Sequence, residues 1–306
     1  MIIFVAQNFF MDAVAEKLTF QNKIKMYMIF IKFRLSALII ISALSGYLFV
    51  GGNDGYVLTY LLIGGLLVTG ASNGYNQIWE RDLDKLMERT KKRPIPQGNM
   101  SVKEGYAVVV FCLLIGTALL YLINIYSAML GLFAFGFYVY IYTPLKRITS
   151  LAVLVGAIPG AIPPMLGAIA CTGEFGLIPG ILFFVQFMWQ FPHFWAIGWF
   201  LFEDYKRGGF FMLPTGKQDR GTAVQTIMYT IWTILISIVP VLGITGELKL
   251  SIVAAIIVFL LGLGMLYYAL QLFKKMTEKA AKQLMLSSVF YISLIQIVYV
   301  LDKFIR

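Results

Sequence analysis

About nine apolar runs, each long enough to cross a bilayer, leave this chain almost no choice of fold. They fall near residues 28–50, 56–79, 104–124, 127–143, 150–171, 176–202, 222–245, 250–273 and 284–302, and about 20 residues of α-helix span the hydrocarbon core. Backbone polar groups in lipid must be satisfied within their own segment, so the runs predict helices. The expected fold is all-α, a polytopic membrane bundle of about nine transmembrane helices. A mean hydropathy of +0.81 with 13% charged residues excludes an ordinary soluble domain. The expected organisation is an N-terminal segment, 1–25, followed by one transmembrane domain, 26–306.

A net charge of +10 raises nucleic acid as a partner, but the placement of the charges argues against it. With a cytoplasmic N-terminus, 22 of the 25 basic residues fall on inside segments, and only Lys249, Lys303 and Arg306 fall outside. This bias follows the positive-inside rule. Residues Met1 to Phe10 are apolar but lack a basic leader and a cleavage site, so no signal peptide is expected; Asp12 to Lys25 reads as a short amphipathic segment lying on the surface before the first span. Cys112 and Cys171 support neither a disulfide framework nor a metal site.

The stretch Asn73–Arg93 packs much of the charge against the end of the second apolar run. At about 100° per residue, Asn76, Glu80 and Asp84 share one helix face, and Asp82 points elsewhere. Carboxylates one turn apart repel unless a cation lies between them, and hard oxygens at that spacing suit Mg²⁺ carried by a phosphate-bearing substrate. Arg81, Lys85, Arg89, Lys91, Lys92, Arg93 and Lys103 follow or interleave. The pattern describes a site for a metal-diphosphate at a membrane surface, against the plainer reading of a loop that only fixes topology. Pro94 and Pro96 end the helix.

Further polar groups recur at the same side. Tyr142 is followed by Lys146 and Arg147 as the fourth run emerges, where cations neutralise a diphosphate or simply anchor the helix. Gly156, Pro159, Gly160, Pro163, Pro164 and Gly167 predict a distorted fifth span forming a wall of a chamber. In the sixth run Gln186, Gln190 and His193, the sole histidine, fall on one face that Asp204 and Arg207 would extend. A polar stripe at membrane depth needs a cavity or partner helices beside it. Acidic clusters at Asp82 and at Glu203 and Asp204, each followed by a later basic one, predict a pseudo-repeat of four helices plus four around a central cavity.

These motifs resemble the UbiA family of intramembrane prenyltransferases over roughly residues 30–300. Asn76, Glu80 and Asp84 match the family's first acidic motif, with Glu80 where Asp is commoner and Asp82 as an additional acid. Arg89, Thr90, Arg93 and Pro94 resemble its continuation, and Tyr142 to Arg147 its tyrosine-to-basic motif. Gly156 to Pro164, Trp189 to His193, and Glu203-Asp204-Tyr205 with Met212-Leu213-Pro214 are similar to the branch whose acceptor is haem. The second acidic motif is short, with Glu203 and Asp204 alone, and Phe211 replaces a frequent proline.

The resemblance implies a UbiA-like fold with farnesyl diphosphate and haem B as substrates. It implies Mg²⁺ held by Asn76, Glu80, Asp84 and Asp204, with Arg89, Arg93, Tyr142, Lys146 and Arg147 toward the diphosphate. Gln190, Glu203 and Arg207 are further substrate contacts, Arg207 as one candidate for the haem propionates. His193 is expected either to ligate haem iron or to orient the water that ends the reaction. The implied setting is a bacterial cytoplasmic membrane with the active-site loops inside, and a haem A synthase or terminal oxidase as the recipient of product. Two other readings stay open: a prenyltransferase acting on a quinone precursor, and a cation-coupled transporter whose acids bind its ions.

Overall fold

The computed structural model describes residues 20–244 and 249–305. The expected N-terminal segment up to residue 19, and the end of the seventh run at Thr245, lie outside the described residues. Eight helices long and apolar enough to span a membrane are present among the described residues, and a bent pair makes a ninth. The chain is an integral membrane protein, and no strand occurs among the described residues.

The first span is the bent pair, Phe20–Phe30 and Phe33–Phe49, broken by 56°. The others are Gly55–Trp79, Val102–Ile123, Ile125–Leu145, Ala152–Thr172, Leu177–Phe200, Arg220–Leu242, Ile252–Lys275 and Glu278–Ile305. Their starts are chemically marked. Asp54, Ser101, Asn124, Asp219 and Ser251 each cap a helix by accepting from backbone N–H groups of its first turn. Asn124 alone separates the third span from the fourth.

The break in the first span has a visible cause. Lys32 adopts a left-handed conformation with φ 49°, which costs energy for a residue with a side chain and persists only when its surroundings enforce it. Gln77 of the second span donates to the Phe30 carbonyl at 2.6 Å, and Ser36 Oγ donates to that of Ile31 at 2.9 Å. Carbonyls freed by the bend are thus satisfied inside the protein.

Two hydrophobic cores form, one mainly from spans one to four and one mainly from spans six to nine. The fifth span serves both: Ile162, Leu166 and Ile169 join the first core, Val153, Ala157 and Ala168 the second. The division follows the expected four-plus-four arrangement. Against expectation, the fifth span is one continuous helix with Pro159, Pro163 and Pro164 inside it. Neighbouring backbone and amide groups stabilise it. A Cβ on Gly46 would collide with Pro164 O, and one on Gly167 with Ala43 O, so the first and fifth spans meet backbone to backbone. Gln190 Nε2 of the sixth span donates to Ala157 O at 2.9 Å.

Candidate active site

The second span ends at Trp79, but its hydrogen bonding runs on: Glu80 N donates to Asn76 O at 2.9 Å, and Asp84 N to Glu80 O at 2.8 Å. A short helix, Arg81–Asp84, continues the turn. Asn76, Glu80 and Asp84 therefore keep their common face and are all buried, at 2, 4 and 0% exposure. Asp82 turns outward to pair with Lys85 at 3.1 Å. The helix stops at Asp84, well before Pro94 and Pro96, its expected end.

Each buried acid faces a cation from another turn or span. Arg93 Nη1 donates to both Asp84 oxygens, at 2.6 and 2.8 Å. Lys146 Nζ lies 2.5 Å from Glu80 Oε1, although no aligned hydrogen bond reaches that oxygen. Asn76 Nδ2 donates to Thr143 Oγ1 at 3.4 Å, leaving Oδ1 as its lone-pair atom. Burial pushes the Asp84 carboxyl above the usual range, and the Arg93 guanidinium draws it part of the way back.

A widened π-helical turn, Phe137–Tyr142, brings the fourth span into the site. The Tyr138 and Tyr142 rings pack there at a tilt of 44°, with centroids 5.1 Å apart. Lys146 Nζ sits 5.1 Å from the Tyr142 ring and 5.0 Å from that of Phe210. Phe211 N donates to Lys146 O at 2.8 Å and ties the loop after the sixth span to the first half. Arg147 is exposed.

The second acidic cluster is placed differently from the sequence expectation. The sixth span breaks at Leu201 (φ −106°, ψ 21°), and Asp204 and Arg207 stand on a separate helix, Phe202–Arg207. The stripe through Gln186, Gln190 and His193 stops at that break. Asp204 accepts from Glu88 N at 2.9 Å, Arg89 N at 3.4 Å and Arg207 Nη2 at 2.5 Å. Burial acts to raise its carboxyl, but these three donors outweigh it and hold the group below the usual range. Arg89 lies over the Tyr205 ring at 5.5 Å, and Glu203 is exposed.

Sequence reasoning passed over Lys32, which lies within electrostatic reach of Arg93, Lys146, Glu80 and Arg89. Its signal was a lone cation between Ile31 and Phe33. Deeper in the membrane, His193 Nδ1 bonds Ser288 Oγ of the ninth span at 2.8 Å, and Gln296 links Ser42 and Gln186 across three spans.

Among the described residues no three His, Cys, Asp or Glu side chains group closely enough to hold one metal ion. The donor chemistry nevertheless fits a hard cation: an amide oxygen and two carboxylates, buried on one face, one oxygen of which takes no aligned hydrogen bond. The ion pairs with Arg93 and Lys146 occupy that chemistry and must open to admit a metal.

The model of the UbiA prenyltransferase family matches residues 39–295. A protoheme IX farnesyltransferase of Christiangramia forsetii is 59% identical over 277 residues, covering 90% of this chain and 92% of the relative. A structure of digeranylgeranylglyceryl phosphate synthase superposes with TM-score 0.76 at 16% identity, over 93% of this chain and 99% of the other. A UbiA homologue from Archaeoglobus fulgidus with DMAPP and Mg²⁺ bound superposes with TM-score 0.62 at 14% identity, over 88% and 98%. The last two speak for the fold alone.

Proposed function

The chain belongs to the UbiA prenyltransferase family, and we infer that it transfers farnesyl from farnesyl diphosphate to a vinyl group of haem B, with addition of water, to give haem O. The enzyme class and haem acceptor follow from the protoheme IX farnesyltransferase that shares 59% of its residues across nine-tenths of the chain. One observation carries the chemistry: buried acids on one helix face, each opposed by a cation drawn from elsewhere in the fold.

Asn76, Glu80 and Asp84 would hold Mg²⁺, and Asp204 would join them once its bonds to the Glu88 and Arg89 amides are exchanged. When bound, Mg²⁺ would act as a Lewis acid on the diphosphate and stabilise the charge that the leaving group gains. Arg93 and Lys146, released from Asp84 and Glu80, neutralise the remaining phosphate oxygens; Arg89, Tyr142 and Arg147 complete that rim. Diphosphate departs with the bonding electrons and leaves an allylic cation. The haem vinyl attacks it, water adds to the cation formed beside the pyrrole, and loss of a proton gives the hydroxyethylfarnesyl group. Gln190, Glu203 and Arg207 are further substrate contacts, and His193 contacts the haem. No enzyme nucleophile is required. The reaction belongs to a bacterial cytoplasmic membrane, with these loops facing the cytoplasm and a haem A synthase or terminal oxidase taking the product.

The test is mass analysis of haems extracted from cells that express the chain or its Asp84→Ala variant. Haem O is expected with the unaltered chain, and at least about 100-fold less with the variant. Haem B alone in both, with the protein present in the membrane, overturns the haem reading and directs attention to quinone precursors.

A further inference from the structure

The sixth span carries a second polar site that the diphosphate chemistry does not use. At about 100° per residue, His193 lies between Gln190, about 60° to one side, and Trp189, about 40° to the other. Gln190 bonds Ala157 of the fifth span, and Trp189 Nε1 donates to Ser288 O of the ninth at 2.6 Å. His193 consequently faces the space between the fifth and ninth spans. Phe184, roughly 180° from it on the helix, is exposed on the lipid side.

The ring is held on two sides. Trp189 stacks on it, with centroids 4.6 Å apart and planes within 20°. Ser288 Oγ bonds Nδ1 at 2.8 Å and also donates to Met285 O at 2.7 Å. A hydroxyl has one hydrogen. With that hydrogen committed to Met285, Ser288 offers His193 only a lone pair, so Nδ1 carries the proton and Nε2 is bare. The ring also bonds the Met285 carbonyl, which requires a ring N–H; no side chain among the described residues bonds Nε2, and His193 is half-buried, not sealed.

A neutral imidazole oriented through Nδ1–H, with Nε2 free, is the form in which histidine binds haem iron. We propose that His193 Nε2 is an axial ligand of the haem B iron, and that Ser288 and Trp189 are positioning residues that fix its tautomer and plane. This rests on haem being the acceptor. Ligation at one iron face would fix the macrocycle's depth and rotation, and with them which vinyl group meets the farnesyl cation.

The experiment adds ferric haem B to the purified, membrane-reconstituted full chain and follows its absorption spectrum, with haem O formation measured in parallel. The unaltered protein should give a histidine-ligated spectrum. His193→Ala should lose it, and free imidazole should restore it, which also shows that the variant is folded. Ser288→Ala should weaken haem binding about 10-fold or more. Metal-free protoporphyrin IX should bind the unaltered protein and His193→Ala equally. If His193→Ala keeps the unaltered spectrum and affinity while the unaltered chain makes haem O, the ligand assignment falls and the acceptor stands. If the unaltered chain neither binds haem nor makes haem O, the acceptor reading falls and takes this proposal with it.

Discussion

Glu80 and Asp84 stand on the continuation of a 25-residue span, and each faces a cation from another segment. Asp204 sits in a six-residue helix beyond a break and takes two of its hydrogens from the backbone of the other half's loop. The first arrangement fixes where charge sits. The second fastens one half of the molecule to the other. Two carboxylate clusters that look alike in sequence thus differ in what holds them, and the difference is open to attack.

The largest effect should come from Lys146→Ala, which leaves Glu80 buried without its cation and removes a charge from the leaving group's path. Haem O formation should fall about 10²- to 10³-fold. Asp204→Asn, which keeps one oxygen for the metal and the loop amides but loses the charge, should cost about tenfold, or about 1.4 kcal/mol, and should speed tryptic cleavage after Lys91, Lys92 and Arg93 in the loop that Asp204 fastens. Equal losses and unchanged cleavage in the two variants would erase the distinction between anchor and fastening.

The pH dependence should sharpen it. Asp84 is held above the usual carboxylate range by burial, and Asp204 below it by its donors. As pH falls, Asp84 takes its proton first and metal affinity is lost there. Arg93→Gln removes a group that lowers the Asp84 carboxyl, so the acid limb of kcat/KM should move to higher pH. Arg207→Gln raises Asp204 alone and should move that limb less. The smallest effect belongs to Arg147→Ala: this exposed cation adds little beside Lys146, and turnover should stay within about threefold.

The spans were legible because lipid imposes length and hydropathy on any segment that crosses it. Asn76, Glu80 and Asp84 were legible because the helical hydrogen bonds run past Trp79, so a spacing of four and eight residues keeps its meaning. The stripe from His193 to Arg207 failed for the opposite reason. The break at Leu201 interrupts the periodicity, and no proline or glycine stands there to announce it. Lys32 was hidden by its company: its reach toward Arg93 and Lys146 depends on a left-handed turn enforced by Gln77, 45 residues away. Ser288 gave no signal because a serine in an apolar span is ordinary until its partner is known.

The fifth span shared between two cores has a consequence for how the chain is made. The first span's backbone contact at Gly46 has its complement at Pro164, and neither core closes until residues up to Thr172 are in place. During synthesis four spans must therefore enter the bilayer and wait, with the Gly46 face of the first span uncovered, until the three-proline helix arrives. The ribosome has by then made more than half of the protein, so early insertion is a holding stage and the fifth span is the event that commits the chain.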